Sequence, residues 1–449
     1  MTLETLPVPA SVRPVLARLV EAGHAAFLVG GSVRDLLLSR PAADYDVATA
    51  ATPAEVMALF SRSHPTGAAH GTVTVVEDGV AVEVTTFRRE AGYSDRRRPD
   101  RVDFGASLEE DLLRRDYTIN AMAMSLDGRL EDPTGGRRDL AARVIRAVGD
   151  PRCRFDEDAL RPLRGVRLAT ELGFDLEVGT WRAIQEAAPL LTHVSRERVR
   201  DEFRRVLLAE GVGRGLELLR RSGLLAQFLP ELLEGVGVVQ NHHHAYDVWE
   251  HTLRTVERVS PRLTLRWAAL LHDVAKPRTL TEKGGQRHFY RHEVVGEELA
   301  ARILTRLREE RRRVGQVAAL VRWHMALRPG LPYRDATLRR LIARVGEERV
   351  EDLLELWQAD RGAHGGEEAE EAAVAALAAR VRRLLSGERV FSPRDLAVDG
   401  RDVLALGIGP GPAVGRALQK LLAFVQEDPS RNRREVLLER LRQDFGRRT

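Results

Sequence analysis

The chain has 449 residues, 43% of them hydrophobic, and a net charge of only +4 from 70 Lys+Arg against 66 Asp+Glu. That length predicts two to four domains, and so small a charge surplus does not by itself assign a nucleic-acid partner. No run nears the roughly 20 apolar residues of a membrane span, the start MTLETLPVPASVRP lacks the pattern of a secretory signal, and the single Cys153 excludes an internal disulfide framework, so the cytoplasm is expected and a membrane partner is not.

Taken in order, the apolar run His24 to Val29 ends in Gly30-Gly31 and is followed by a helical pattern, SVRDLLLSR. Asp44 to Thr49 alternates like a strand. Thr52-Pro53-Ala54-Glu55 combines an N-cap, a proline at the first helical position and a glutamate three residues after the cap, which together open a helix. GTVTVVEDGVAVEVTTF reads as two strands around a turn at Asp78-Gly79. The first 150 residues are therefore a small mixed sheet with helices on it. From about residue 155 apolar residues recur at three- and four-residue spacing, and little strand signal remains beyond a short pair near Lys283 to Tyr290. Expected joints are Gly149-Asp150-Pro151, the Gly235 to His244 region, and GAHGGEEAEEAA after Asp360.

The most informative stretch is LVGGSVRD followed by Asp44-Tyr45-Asp46. On a strand, residues i and i+2 share a face, so Asp44 and Asp46 are expected side by side and able to share Mg²⁺, as phosphoryl transfer requires. Gly30 and Gly31 let backbone N–H groups approach a phosphate at a helix N-terminus, and Arg34 one turn on is expected to clamp it. Glu83 in VAVEVTTF is a candidate third carboxylate, with a solvent-facing strand residue as the alternative. The spacing further predicts one helix from about Asp156 that carries Asp158, Arg161, Arg164 and Arg167 as a drifting stripe, within which Asp158 and Arg161 can bridge.

These segments resemble the class II tRNA nucleotidyltransferase and bacterial poly(A) polymerase family. LVGGSVRD with Asp44 and Asp46 matches its first motif, and RRDYTINAM (Arg114 to Met122) its second. DPTGGRRDL resembles the hinge element, EDALRPLR (Glu157 to Arg164) the nucleotide reader, and SRERVRDEF (Ser195 to Phe203) the helix motif after it. The resemblance implies an α+β chain: a nucleotidyltransferase head with a mixed sheet over residues 1–150, then all-α regions. Those would be a neck and body for base recognition over 151–240, an HD domain over 241–365 and a tRNA-binding tail over 366–449. It implies metal-dependent addition of C and A from CTP and ATP to a tRNA 3′ end, with Asp44 and Asp46 catalytic and Glu83 the candidate third catalytic carboxylate beside them. Gly30, Gly31, Ser32, Arg34, Arg115, Asp116, Asn120, Asp158, Arg161, Arg164 and Arg167 would form the nucleotide site.

The chemistry of the reader is coherent. Cytosine and adenine each present an exocyclic amine beside a ring-nitrogen acceptor, whereas uracil and guanine present a carbonyl beside an N–H. One carboxylate and one guanidinium, the roles implied for Asp158 and Arg161, therefore accept the first pair and reject the second without a template.

Within the family, TGAAHGTVTVV (Thr66 to Val76) resembles CCA-adding members and lacks the more basic element of bacterial poly(A) polymerases. The full-length loop Phe87 to Phe104 speaks against CC-only addition and leaves CCA and A-only addition open.

Further on, His251, the doublet His272-Asp273, His292, His324 and Asp360 resemble the HD phosphohydrolase superfamily. The resemblance implies His251, His272, Asp273 and Asp360 as ligands of a second divalent metal, with His292 and His324 as second-metal ligands or phosphate contacts. An HD-type phosphohydrolase is thus the rival reading. The run Asn241-His242-His243-His244 is a further histidine-rich candidate for metal or for a plain loop.

Overall fold

In a computed structural model the described residues are 7–445, apart from 43, 68–70, 93–99, 241–245, 365–367 and 388. They fall into two compact units, Met1–Pro230 and Glu231–Thr449.

In the first unit, helix α1 (Arg13–Glu21) precedes strand β1 (Ala26–Val29), and Gly30-Gly31 turn the chain into α2 (Gly31–Leu37). Strand β2 (Tyr45–Thr49) is followed by α3 (Pro53–Leu59), which opens with the expected capping box between Thr52 and Glu55. Then come β3 (Ser63–Gly67), β4 (Thr72–Glu77) and β5 (Val80–Thr86). Asp78 and Gly79 have φ of 48° and 80°, the left-handed pair that a two-residue hairpin needs. A second hairpin, β6 (Arg88–Ala91) with β7 (Arg101–Phe104), leads to α4 (Leu108–Leu113), and two short strands follow, β8 (Ala123–Met124) and β9 (Leu130–Glu131).

Seven of these strands form one mixed sheet in the order β3-β4-β5-β2-β1-β8-β9, with β2 parallel to β5 and the other pairs antiparallel. Alternation divides its faces: Val73, Val75, Val82 and Val84 are fully buried, while Thr72, Thr74, Glu83 and Thr85 occupy the opposite face in register. The α+β expectation holds.

After α5 (Gly136–Ala141) and β10 (Val144–Ile145), the chain is helical except for β11 (Asp175–Leu176), which pairs parallel with β10. Helices α6 (Pro151–Glu157) and α7 (Arg161–Leu172) replace the single helix expected from Asp156. The break has a local cause. Pro162 has no N–H to give to the carbonyl of Asp158 and its ring opposes a continuous helix there. Asp158 is instead an extended C-cap residue with φ −139° and ψ 108°. Helices α8 (Val178–Ala187), α9 (Arg196–Leu208), α10 (Val212–Arg221) and α11 (Leu224–Phe228) complete this unit. Gly149-Asp150-Pro151 lies within it as the start of α6, where Asp150 accepts a hydrogen bond from the Arg152 N–H.

The second unit carries α12 (Val248–Arg258), α13 (Leu263–Leu271), α14 (Lys276–Thr279) and the hairpin β12 (Leu280–Lys283) with β13 (Gln286–Phe289). Helices α15 (His292–Arg306), α16 (Arg311–Trp323), α17 (Asp335–Val345), α18 (Glu347–Gly362) and α19 (Glu368–Ser386) follow. The unit ends in α20 (Gly400–Ala405), α21 (Pro412–Glu427) and α22 (Arg434–Phe445), packed on their own apolar cluster around Val403, Leu421 and Leu437. Among the described residues no helix is long and apolar enough to cross a membrane.

Candidate active site

The polar face of the sheet is the floor of an open cleft of about 330 Å³ in the first unit. Register builds its acidic corner. Asp46 on β2 stands opposite Val29 of β1 and opposite Glu83 of the parallel neighbour β5. Asp44 is not on the strand as expected: it occupies an exposed bend one residue before β2 begins, so alternation along a strand does not align it with Asp46. The coupling is electrostatic instead. Burial raises the Asp46 carboxyl above its usual range, Arg115 opposes that rise, and the charges of Glu83 and Asp44 add to it. Asp46 and Glu83 line the cleft and are cross-strand neighbours, and carboxylates of this kind suit a divalent cation, whereas Asp44 does not line it.

Gly30 turns from β1 into α2 with φ 76° and ψ −139°, a conformation that L side chains rarely adopt. A side chain there would also meet the Arg115 guanidinium at 3.1 Å and the Asp46 carboxylate at 3.4 Å. Gly30 and Gly31 both line the cleft, but Ser32 and Arg34 do not. The Ser32 hydroxyl donates to the Val29 carbonyl at 2.8 Å. The Arg34 guanidinium is held by Asp35 at 2.9 Å and donates to the Asn120 amide oxygen at 2.7 Å. Arg34 thus orients Asn120, which does line the cleft, rather than reaching into the space as a clamp.

The opposite wall brings together Arg114, Arg115, Asp116, Asp158, Arg161 and Arg164. Asp116 is buried and pairs with Arg164 at 2.8 Å. Burial raises its carboxyl, but the charges of Arg164 and Arg161 outweigh that and hold it below the usual range. Asp116 in turn raises the pKa of Arg164.

The expected Asp158–Arg161 bridge is absent, because the break at Pro162 turns the two residues to different partners. Asp158 accepts from both terminal nitrogens of Arg198 on α9, at 2.8 and 3.3 Å, and from the Leu160 N–H. Arg161 pairs with Glu157 at 2.6 Å and donates to the carbonyls of Arg154 and Arg114 at 3.2 and 3.1 Å. Arg167 does not line the cleft and pairs with Glu171 and Glu202.

Sequence reading missed Arg198, which holds Asp158, and Glu157, which holds Arg161. Both lie inside motifs already singled out, yet only the fold pairs α9 with the α6–α7 break. Thr72, Thr85 and Arg88 were likewise missed and line the cleft. The two threonine hydroxyls, 3.0 Å apart, carried no signal beyond strand alternation. The expected loop Phe87 to Phe104 lies partly outside the described residues, as does the Thr66 to Val76 element.

The second unit holds a separate cluster, assembled at helix ends. His251 comes from α12, His272 caps the C-terminus of α13 with Asp273 next to it, His292 starts α15, His324 caps α16 and Asp360 lies in the last turn of α18. All six are buried. Their ligand atoms form two groups, His251, His272 and Asp360, and Asp273, His292 and His324.

The donor set fits metal ions. The Nδ1–H groups of His272, His292 and His324 can donate to the carbonyls of Ala269, Phe289 and Val321 at 2.8, 2.8 and 2.7 Å. That tautomer turns each Nε2 lone pair inward. The Nε2 atoms of His251 and His272 are 3.2 Å apart and those of His292 and His324 3.3 Å apart, distances that either an N–H···N hydrogen bond or a shared cation bridges. Burial, followed by the neighbouring His292 and His272, pushes His324 down to about 3, so its imidazole is neutral. Burial raises both carboxyls, but His272 and Lys276 hold Asp273, and His251 and His364 hold Asp360, well below the usual carboxylate range. The Asn241 to His244 run lies outside the described residues.

Comparison with known proteins assigns three segments. A Poly A polymerase head domain matches residues 26–146, a probable RNA and SrmB-binding site of polymerase A matches 173–235, and an HD domain matches 241–381. The chain is 50% identical over 218 residues to the CCA-adding enzyme of Anoxybacillus flavithermus, covering 49% of this chain and 55% of that protein. It is 48% identical over 236 residues to the CCA-adding enzyme of Limosilactobacillus fermentum, covering 52% and 59%. These alignments thus span little more than half the length of the curated relatives. The crystal structure of the Bacillus stearothermophilus CCA-adding enzyme in complex with CTP is similar throughout, at 32% identity over 97% of this chain and 96% of that one, with a TM-score of 0.74.

Proposed function

Because the chain belongs to the family of CCA-adding enzymes, we propose that it adds C and A from CTP and ATP to the 3′ end of tRNA without a nucleic-acid template. One observation carries this reading: the neighbouring carboxylates Asp46 and Glu83 line the same cleft as Asp158 and Arg161.

Asp46, with Glu83 and Asp44, would hold Mg²⁺, which supplies activation of the attacking hydroxyl and neutralisation of triphosphate charge. The other steps belong to the chain's own groups. Gly30 and Gly31 give a phosphate close access to the backbone, and Arg115 stands beside them as a counter-charge. Asp116 keeps Arg164 aligned along the wall. Asp158, steadied by Arg198, retains lone pairs for the exocyclic amine of cytosine or adenine. Arg161, steadied by Glu157, donates to the neighbouring ring nitrogen, and the rejected bases meet each group with the wrong polarity. Each arm of the reader is therefore held by a partner of opposite charge, so little reorganisation accompanies base binding.

Residues 1–150 would be the catalytic head, 151–240 the base-reading neck and body, 241–365 the HD domain and 366–449 the tRNA-holding tail of a cytoplasmic enzyme. The test offers the purified chain tRNA lacking all of CCA, lacking only the final A, or complete, with CTP, ATP or both. C followed by A on the shortest tRNA is the expected result. ATP use only on tRNA ending in CC would make the enzyme A-adding, and continued A addition to complete tRNA or to other RNA would make it a poly(A) polymerase.

The buried histidine cluster favours a second reading, metal-dependent hydrolysis of a phosphate ester in the second unit. Hydrolysis of 2′,3′-cyclic nucleotides with Mg²⁺, Mn²⁺ or Ni²⁺ tests it, and loss of that activity in His272→Ala with nucleotide addition retained is the expected separation.

A further inference from the structure

The cleft floor of the first unit carries a polar pair with no part in base reading or phosphate binding. Thr72 on β4 and Thr85 on β5 stand directly opposite one another, on the sheet face that also presents Glu83. Both line the cleft, as does Arg88 three residues beyond Thr85. The two hydroxyl oxygens lie 3.0 Å apart and share one hydrogen bond. Among the described residues neither hydroxyl has a second hydrogen-bond partner. One hydroxyl spends its proton on the other, so the pair keeps one O–H donor and unused lone pairs for a ligand. The neighbouring pair on the same face, Thr66 and Thr74 at 2.8 Å, does not line the cleft.

Strand order decides what lies over that pair. Crossing the sheet from β1 to β4, the cleft meets Gly30 just past β1, Asp46 on β2, Glu83 and Thr85 on β5, and Thr72 on β4. The carboxylates thus stand between the phosphate seat at Gly30 and Arg115 and the two threonines. Nucleotide addition joins the acceptor's 3′-oxygen to the α-phosphorus as the bond to pyrophosphate breaks, and the hydroxyl proton leaves to water. The attacking and leaving oxygens are roughly in line. With the triphosphate on the Gly30 side, the acceptor strand therefore enters over β5 and β4. A terminal ribose with its 3′-oxygen at the carboxylates can turn the adjacent 2′-hydroxyl onto Thr85 and Thr72.

We propose that Thr72 and Thr85 hold the 2′-hydroxyl of the acceptor strand's terminal ribose, so that the cleft extends RNA ends in preference to 2′-deoxy ends. The inference rests on the nucleotide-addition reading and supplies the acceptor's half of that site. A 2′-hydroxyl both donates and accepts, which matches the spare O–H and lone pairs of the threonine pair. A 2′-deoxy end turns an apolar carbon to the same groups and leaves them unpaired. Arg88 adds a positive charge to this part of the cleft for the last phosphodiester of the strand.

The experiment gives the full chain, with Mg²⁺ and saturating ATP, tRNA ending in CC whose last cytidine carries a 2′-hydroxyl, a 2′-hydrogen or a 2′-O-methyl group. It reads kcat/KM for each acceptor. The parent should use the deoxy end at least about 5-fold less well than the ribo end, the effect of leaving one hydrogen-bond partner unpaired. The O-methyl end should do no better than the deoxy end. Thr72→Val and Thr85→Val keep the shape of threonine without its hydroxyl. They should use the ribo end less well and bring the ratio of ribo to deoxy ends within about 2-fold. Thr72→Ser and Thr85→Ser should keep the parent's ratio, as should Thr74→Val, whose hydroxyl serves Thr66 outside the cleft. Selectivity for ATP over dATP should stay unchanged throughout. Equal use of ribo and deoxy ends by the parent overturns the proposal, as does an unchanged ratio in folded Thr72→Val and Thr85→Val chains. Loss of ATP-over-dATP selectivity with the acceptor ratio kept would assign the pair to the incoming nucleotide and overturns it too. No addition to the ribo end by the parent would instead sink nucleotide addition itself.

Discussion

Replacing Gly30 by alanine tests how the cleft is built. Its φ of 76° and ψ of −139° lie where an L residue is strained, at a cost of about 1–3 kcal/mol. The added methyl would also press on the Arg115 guanidinium, 3.1 Å away, and approach Asp46 Oδ2 at 3.4 Å. For a unit the size of Met1–Pro230, each kcal/mol moves the melting point by roughly 2–4 °C, so a loss of about 2–12 °C is expected. Gly31 is the control. It begins α2, and a methyl there meets Arg34 Nη2 only at an ordinary 3.5 Å. Gly31→Ala should therefore leave stability unchanged or raise it by up to about 1 kcal/mol. Scanning calorimetry of the two variants beside the parent, with CTP incorporation measured in parallel, reads the difference. Equal melting points for Gly30→Ala and Gly31→Ala would refute the account of the turn.

Asp46→Asn should lower nucleotide addition by about 10²–10³-fold, the loss of several kcal/mol of metal-borne stabilisation, without changing Mn²⁺ binding by the histidine cluster. Arg161→Ala should reduce discrimination of CTP against UTP by about 5- to 150-fold, equivalent to about 1–3 kcal/mol; unchanged selectivity removes Arg161 from base reading. Gly165→Ala would place a methyl 2.2 Å from the Tyr117 hydroxyl, which donates to the Arg161 carbonyl at 2.7 Å. It should cost about 1–3 kcal/mol of overpacking and weaken C/A selectivity together, as calorimetry and competition assays would show. Stripping divalent metal from chain saturated at about 100 times its Kd should remove about 2.7 kcal/mol from unfolding of the second unit, and a chelator that leaves its melting unchanged would argue against a bound ion.

The chemistry-bearing residue types were legible in sequence because local rules govern them. Alternation across the Asp78-Gly79 turn separates Glu83 and Thr85 from Val82 and Val84. The Thr52–Glu55 capping box is written in four residues, and the histidines and aspartates of the second unit stand out by type and order. The Asp158 to Arg167 stripe shows where a local rule fails. Helical spacing alone puts these residues on one helix, but Pro162 lacks the N–H that the Asp158 carbonyl would need, and the chain breaks there.

Tertiary structure alone decided which charges meet. Asp46 and Glu83 become neighbours through the parallel pairing of β2 with β5, Asp158 is steadied by Arg198 from α9, and Arg34 turns to Asn120 rather than into the cleft. Lys276 and Asp273 are three residues apart across the turn between α13 and α14, yet only the packing of α12, α15, α16 and α18 brings both histidine groups to that carboxylate. Sequence determined the fold class and the inventory of reactive groups, since hydrophobic periodicity, capping and turn chemistry act within a few residues. Partner choice among buried charges depends instead on residues tens of positions apart, because desolvated ions must be compensated by whatever group the fold places within about 3 Å.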